Sequence, residues 1–347
     1  MTARIYLDHA ATTPMLPAAR EALAEGVAMW ANPSSPHAEG RAARAALEQA
    51  RERIKAALGW EHHLIFTSGA SEAAALAMER ARLPERAISA VEHDSMRRIC
   101  PKAVILSVAA TGLVDVDDMP DRALVAVQSV NSETGVIQPL DTIVAAVRGR
   151  GGRLLADCAQ SAARLDLPDA DMIVVSAHKL GGPPGIGALL VRDLGLLDPV
   201  GGQEQGYRGG TENLPGALGF AAALETRSAR GPLHALRDRL DRAVREAGGA
   251  VVADASPRLA EIASYHLPGV SAVAQLIALD AAGVAVSAGS ACSSGSMKPS
   301  PVLTAMGWGE REASEVIRVS FAPATTEAEV DRFLAVWRGL AERRRAA

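Results

Sequence analysis

The chain has 347 residues, 48% of them hydrophobic and 22% charged, which exceeds what one core usually serves and points to two domains or one large α/β unit. A formal net charge of -4, from 36 Lys and Arg against 40 Asp and Glu, gives no electrostatic reason to expect nucleic acid or an anionic membrane, and favours small-molecule partners. The opening residues MTARIYLDHAATTP contain no apolar leader-like stretch, and no window of about 18 apolar residues occurs anywhere, so a cytoplasmic enzyme without a membrane span is expected. Cys100, Cys158 and Cys292 lie far apart with no CxxC pair, so neither a disulfide framework nor a metal site is expected.

Short β-branched or aliphatic runs alternate with alanine-rich segments of helical period, which predicts βαβ units around a mostly parallel sheet. The predicted strands are Leu64 to Phe66, Ala87 to Ala90, Ala103 to Ser107, Leu124 to Val127, Arg153 to Ala156, Met172 to Ser176 and Ala188 to Val191. A helix is predicted from Pro36 to Leu58, with Gly59 as its left-handed stop.

The stretch "LIFTSGASEAAALAM" reads as strand, turn, then helix, so free backbone N–H groups and the helix dipole meet at Ala70 and Ser71. An anion site and an ordinary N-cap at Ser71 both fit. Further along, "RLLADCAQ" ends a buried strand on Asp157, and a carboxylate in that position needs a partner. Lys179, in "SAHKLGGPPGIGALLV", follows another strand, and ligands of open α/β sheets sit beyond the carboxyl ends of the strands. A plain Asp157–Lys179 salt bridge explains the pair; so does a crevice in which a desolvated lysine acts as a Schiff-base nucleophile. Ser176 and His178 would add a hydroxyl and a ring N–H beside it.

"RSARGPLHALRDRL", Arg227 to Leu240, joins a Gly-Pro pair to dense charge and predicts a domain hinge. Cys292 then sits in "SAGSACSSGSMKPS", a glycine- and serine-rich setting that suits a reactive thiol as well as a small buried hydrophobe. A last helix opens at Thr326, where Glu329 completes a capping box.

Taken together, "YLDHAATTP", "NPSSPHAEGRAAR", "FTSGASEAAALAM", "EHDSM", "VNSETGVIQPL", "DCAQSA", "SAHKLGGPPGIGALLV", "GYRGGTENLPG", "SAGSACSSG" and "IRVSF" resemble, in family order, the cysteine desulfurases of the NifS/IscS type. These are class V aminotransferase relatives, fold-type I enzymes that use pyridoxal 5′-phosphate (PLP). The resemblance implies an α/β fold with a mainly parallel central sheet flanked by helices, and a smaller α+β domain. Residues 14–230 would form the large PLP-binding domain, and 1–13 with 231–347 the small domain carrying the cysteine loop.

By the same resemblance, Lys179 would hold PLP through a Schiff base, Asp157 would pair with the pyridine nitrogen, and Gln160 would bond the phenolic oxygen. His93 would stack on the ring and carry protons together with Lys179. Ala70, Ser71, Ser176 and His178 would hold the phosphate, with Thr211 reaching over from the second subunit of a homodimer. Asn131 and Arg318 match positions that contact substrate and cofactor, and a guanidinium suits the carboxylate of an amino acid. Cys292 matches the catalytic cysteine, which would take sulfur from L-cysteine as a persulfide, leave L-alanine, and pass the sulfur to an acceptor protein or iron–sulfur scaffold. Selenocysteine lyase, or another class V aminotransferase or lyase, keeps the fold and cofactor with a different substrate. Ser71 stands where threonine is usual, which preserves the hydroxyl.

Overall fold

The structure, a computed structural model, describes residues 4–226, 233–288 and 300–346. The chain begins with β1 (Ile5–Tyr6), α1 (Pro17–Ala28) and α2 (Ala38–Leu58). There follow β2 (His63–Thr67), α3 (Ala70–Arg80), β3 (Glu85–Ser89), α4 (Asp94–Ile99), β4 (Val104–Leu106), β5 (Ala123–Gln128), α5 (Leu140–Gly149), β6 (Arg153–Asp157), β7 (Met172–Ser176) and β8 (Gly187–Val191). Beyond them lie α6 (Leu214–Glu225), α7 (Leu233–Glu246), β9 (Ala250–Val251), β10 (Ile262–His266), α8 (Ala272–Ala281), β11 (Val284–Ala285) and β12 (Ser287–Ala288). The chain closes with α9 (Pro301–Ala305), α10 (Glu310–Ala313), β13 (Val316–Ser320) and α11 (Glu327–Ala346).

The central sheet has seven strands in the order β2-β8-β7-β6-β5-β3-β4. Its pairs from β4 through β7 are parallel, while β8 runs antiparallel to both β7 and β2. The link between β7 and β8 holds only a short 3-10 turn, Ala177–Lys179, and a loop, too little for a parallel crossover, so the chain must return antiparallel. All seven predicted strands are present. Burial of both sheet faces explains their uniformly apolar sequences: on β5, Val125 and Val127 pack with Leu47, Ile54 and Phe220, while Leu124 and Ala126 pack with Ala77 and Met78.

A second sheet, in the order β12-β13-β10-β9, is antiparallel, and β1 pairs in parallel with β11 through Ile5↔Val284. Its apolar cluster includes Leu7, Leu240, Tyr265, Phe321, Phe333 and Trp337. This second layer corrects the predicted hinge in part. Leu233 to Leu240 are helical in α7, because Leu233, Leu236 and Leu240 repeat at helical spacing and bury against that cluster; residues 227–232 lie outside the described residues.

Helix α2 starts at Ala38, capped by the His37 ring that accepts from Gly40 N, and ends at Gly59 with φ +67, the left-handed stop expected there. The Thr326 capping box is formed: Thr326 N donates to Glu329 Oε2 at 2.8 Å, and Glu329 N donates to Thr326 Oγ1 at 3.4 Å. Thr326→Ala is therefore expected to cost about 0.5–2 kcal/mol in denaturant unfolding, with the Glu329→Ala change largely redundant with it in a double-mutant cycle. Among the described residues, no helix is long and apolar enough to cross a membrane.

Candidate active site

A cavity of about 540 Å³ opens beyond the carboxyl ends of β2, β3, β6 and β7. The position follows from the topology, since parallel strands end together and their following loops converge there. Asp157 ends β6, His93 caps α4 just after β3, and Ser176 ends β7 immediately before the 3-10 turn that carries His178 and Lys179. Those five residues, with Gln160 and Arg318, all line the cavity.

At the end of β2 the chain turns through Gly69 at φ +155, and α3 begins at Ala70 with no side-chain cap. Ser71 is thus inside the first turn, which removes the N-cap reading of its hydroxyl. The first N–H groups of α3 face a cavity lined by Ala70, Ser71, Ser176 and His178, which is a donor set for an anion. Gly187 lets β8 pass close behind this turn: a Cβ there would lie 2.6 Å from Val175 O and 2.8 Å from Gly69 Cα.

Burial, followed by the neighbouring Lys179 charge, holds the His93 imidazole below its ordinary pKa, against the opposing pull of Asp157. Its Nδ1 accepts the Ser95 N–H at 3.2 Å, so the neutral ring carries its proton on Nε2. His178 is likewise held low, by burial and then by Lys179, and its Nδ1 lies 3.1 Å from Thr12 Oγ1. The Asp157 carboxylate accepts from Ala159 N at 2.8 Å, which fixes its orientation at the strand end. Gln160 is buried, donating from Nε2 to Ala10 O at 2.8 Å.

Arg318, on β13, reaches the cavity from the second sheet. Its Nη2 donates to Asp8 Oδ1 at 2.8 Å and its Nη1 to Ser132 O at 3.0 Å, while Nε is buried without a partner. A guanidinium presented in this way can take a carboxylate.

Two described residues of the predicted site stand apart. Asn131 is buried behind the wall, its Nδ2 donating to Val91 O and its Oδ1 accepting from Glu133 N and Thr134 N, so its amide builds the turn that presents Ser132 and Glu133. Thr211 is exposed and does not line the cavity of this single chain. Cys292 lies outside the described residues.

The cavity also contains carboxyl groups that sequence reasoning missed. Glu92 is buried, and burial, with the Asp157 charge added, pushes its pKa up to about 8. Its Oε1 accepts from Ser89 Oγ at 2.7 Å and from Gln128 N at 2.8 Å, and its Oε2 has no partner. Glu133, raised by burial, accepts from Ser300 Oγ at 2.5 Å. The available signal was a charged residue closing an apolar run, "AISAVEH", the same signal that flagged Asp157.

The family described as aminotransferase class-V matches residues 5–333. An IscS-like cysteine desulfurase of Mycobacterium tuberculosis is 38% identical over 99% of this chain and 97% of its own length. Among solved structures, a NifS-like protein from Rickettsia africae aligns with a TM-score of 0.88 and 29% identity, covering 98% of this chain and 99% of that one. Another, described as SspA in complex with cysteine, aligns with a TM-score of 0.80 and 28% identity, over 93% and 100% of the two chains.

Proposed function

We propose, from the premise that this chain belongs to the aminotransferase class-V family, that it is a PLP-dependent cysteine desulfurase acting as a homodimer. The observation that carries this reading is one cavity holding a lysine, a strand-end aspartate, an uncapped helix N-terminus and a half-satisfied arginine.

The residues present fit the cofactor. Lys179 supplies the amine, Ala70, Ser71, Ser176 and His178 the phosphate donors, Asp157 the partner for a protonated pyridine nitrogen, and Gln160 the contact to the phenolic oxygen. Unit charges about 4 Å apart attract by roughly 4 kcal/mol at an effective dielectric near 20, enough to keep such a nitrogen protonated at neutral pH. When bound, the cofactor withdraws electrons from the α-carbon of the substrate.

The chain's own groups do the rest. Arg318, which lines the cavity, takes the carboxylate of L-cysteine, and the Asp8 and Ser132 contacts keep the guanidinium in place. Lys179 Nζ accepts the α-proton, and His93 Nε2 carries a proton to or from the reacting substrate. Asn131 acts one layer back, holding the turn at Ser132. The Cys292 thiolate attacks the substrate sulfur, so the carbon–sulfur bond breaks and a sulfur–sulfur bond forms: L-cysteine and the thiol become L-alanine and a persulfide. Thr211 completes the phosphate site of the partner subunit. The two-unit division at residues 14–230 and at 1–13 with 231–347 belongs to the same reading, supported by the separate apolar clusters of the two sheets.

Incubation with L-cysteine followed by mass spectrometry is expected to add one sulfur atom to the peptide containing Cys292, and Cys292→Ala is expected to keep the yellow cofactor while losing sulfur transfer. Undiminished alanine and sulfide production by Cys292→Ala would remove the thiol from the reaction. Comparing turnover of L-cysteine with that of L-selenocysteine tests the substrate.

A further inference from the structure

The start of α3 carries a carboxylate where an anion is expected to bind. Glu72, the third residue of the helix, bends back so that its Oε2 accepts the Ser68 N–H at 2.5 Å, and it lines the cavity with Ser68, Gly69, Ala70 and Ser71. An acidic side chain in the first turn stabilises the helix on its own, but beside a phosphate it repels the ligand. Arg208 resolves the conflict. Its Nε donates to Glu72 Oε1 at 2.8 Å, with the Arg208 side chain only 20% exposed. Burial pushes the Glu72 carboxyl up, and the bonds from Arg208 and Ser68 more than reverse it, so Glu72 remains ionised and paired.

Arg208 is presented from a fixed base. Glu204, four residues earlier, is buried and bridges Arg51 at 2.7 and 3.0 Å while accepting from Phe66 N at 2.7 Å, which ties this loop to α2 and β2. Arg208 itself pairs with Gln203 across the turn. The tethered loop therefore delivers a guanidinium to the carboxylate at the start of α3.

We propose that Arg208 is a positioning residue that makes the α3 terminus accept a dianionic phosphate by neutralising Glu72, and so selects the phosphorylated cofactor over its dephosphorylated form. The inference rests on the PLP reading above. It concerns the charge balance of this chain's own residues, and its test needs no turnover.

Apoprotein titrated with PLP and separately with pyridoxal, followed by visible absorbance, gives both dissociation constants. Arg208→Met is expected to weaken PLP by about tenfold or more, within the 5- to 150-fold range usual for coupled sites, while changing pyridoxal less than about threefold. Adding Glu72→Gln to that variant is expected to restore most of the PLP affinity, because the amide oxygen still accepts from Ser68 N and the unpaired charge is gone. Glu72→Gln alone, which keeps the arginine and serves if Arg208→Met does not fold, is expected to bind PLP as tightly as the wild type or more tightly. Equal losses for both ligands in Arg208→Met, no recovery in the double variant, or weaker PLP binding by Glu72→Gln alone would each overturn the proposal. A wild-type protein that binds neither ligand would overturn the cofactor reading itself.

Discussion

Lys179→Ala is expected to yield a folded, colourless protein that makes no alanine from L-cysteine above roughly a thousandth of the wild-type rate. The substitution removes both the amine that would hold the cofactor and a proton carrier, and positioned acid–base groups alone contribute about 10²–10⁴-fold. The fold should tolerate it, because two of the contacts at this residue involve its backbone carbonyl: Thr13 Oγ1 donates to Lys179 O at 3.2 Å and Arg164 Nη2 at 3.1 Å. Alanine keeps that carbonyl. The measurement is visible absorbance after reconstitution with PLP, alanine formation, and a melting curve. Near-normal turnover with an unchanged melting temperature would show that the lysine is not the reactive amine.

The second large effect is on stability. Glu92 carries a carboxyl pushed by burial and then by Asp157 to about 8 from an ordinary 4.5, despite opposing contributions from Ser89, Gln128 N and Arg97. Between those two values the folded chain holds a proton that the unfolded chain has released, so this group's stabilising contribution is fully present below about pH 4.5 and is lost as pH rises through 8. At about 1.4 kcal/mol per pH unit, the loss between pH 5 and 7 is on the order of 3 kcal/mol. In Glu92→Gln the amide is neutral throughout and its oxygen can still accept from Ser89 and Gln128. The variant is therefore expected to lose less stability than the wild type over this range. Urea unfolding of the cofactor-free proteins at a series of pH values measures the two slopes; parallel slopes would assign the pH dependence to other groups.

Glu92 and Asp157 sit in different surroundings. Asp157 ends a strand where Ala159 N and the cavity face it, whereas the Oε2 of Glu92 is enclosed with no donor. A buried acid with one unsatisfied oxygen is favoured in its protonated form, and a carboxylate that faces an open cavity is positioned to pair with a cation there. The same contrast explains why Glu72 can sit ionised at the α3 terminus: Arg208 and Ser68 N supply both of its oxygens with donors.

Local chemistry was enough for the sequence to determine the seven strands of the central sheet, the Gly59 stop of α2 and the Thr326 cap of α11, because each depends on apolar period or on a side chain within a few residues of its partner. The motifs also identified Asp157 at the end of one strand and Lys179 just beyond another, whose convergence follows from parallel topology. Other features depend on contacts between residues far apart in the chain, and only the tertiary structure decided them. Ile5 pairs with Val284 and Arg318 with Asp8, and neither two-residue strand β1 nor β11 has a periodicity to read. The antiparallel return of β8, the turning of Asn131 away from the cavity and the enclosure of Glu92 all arise from what packs around them. A residue's type and spacing specify what it can bond locally, but its solvation is set by neighbours that only the folded chain brings near.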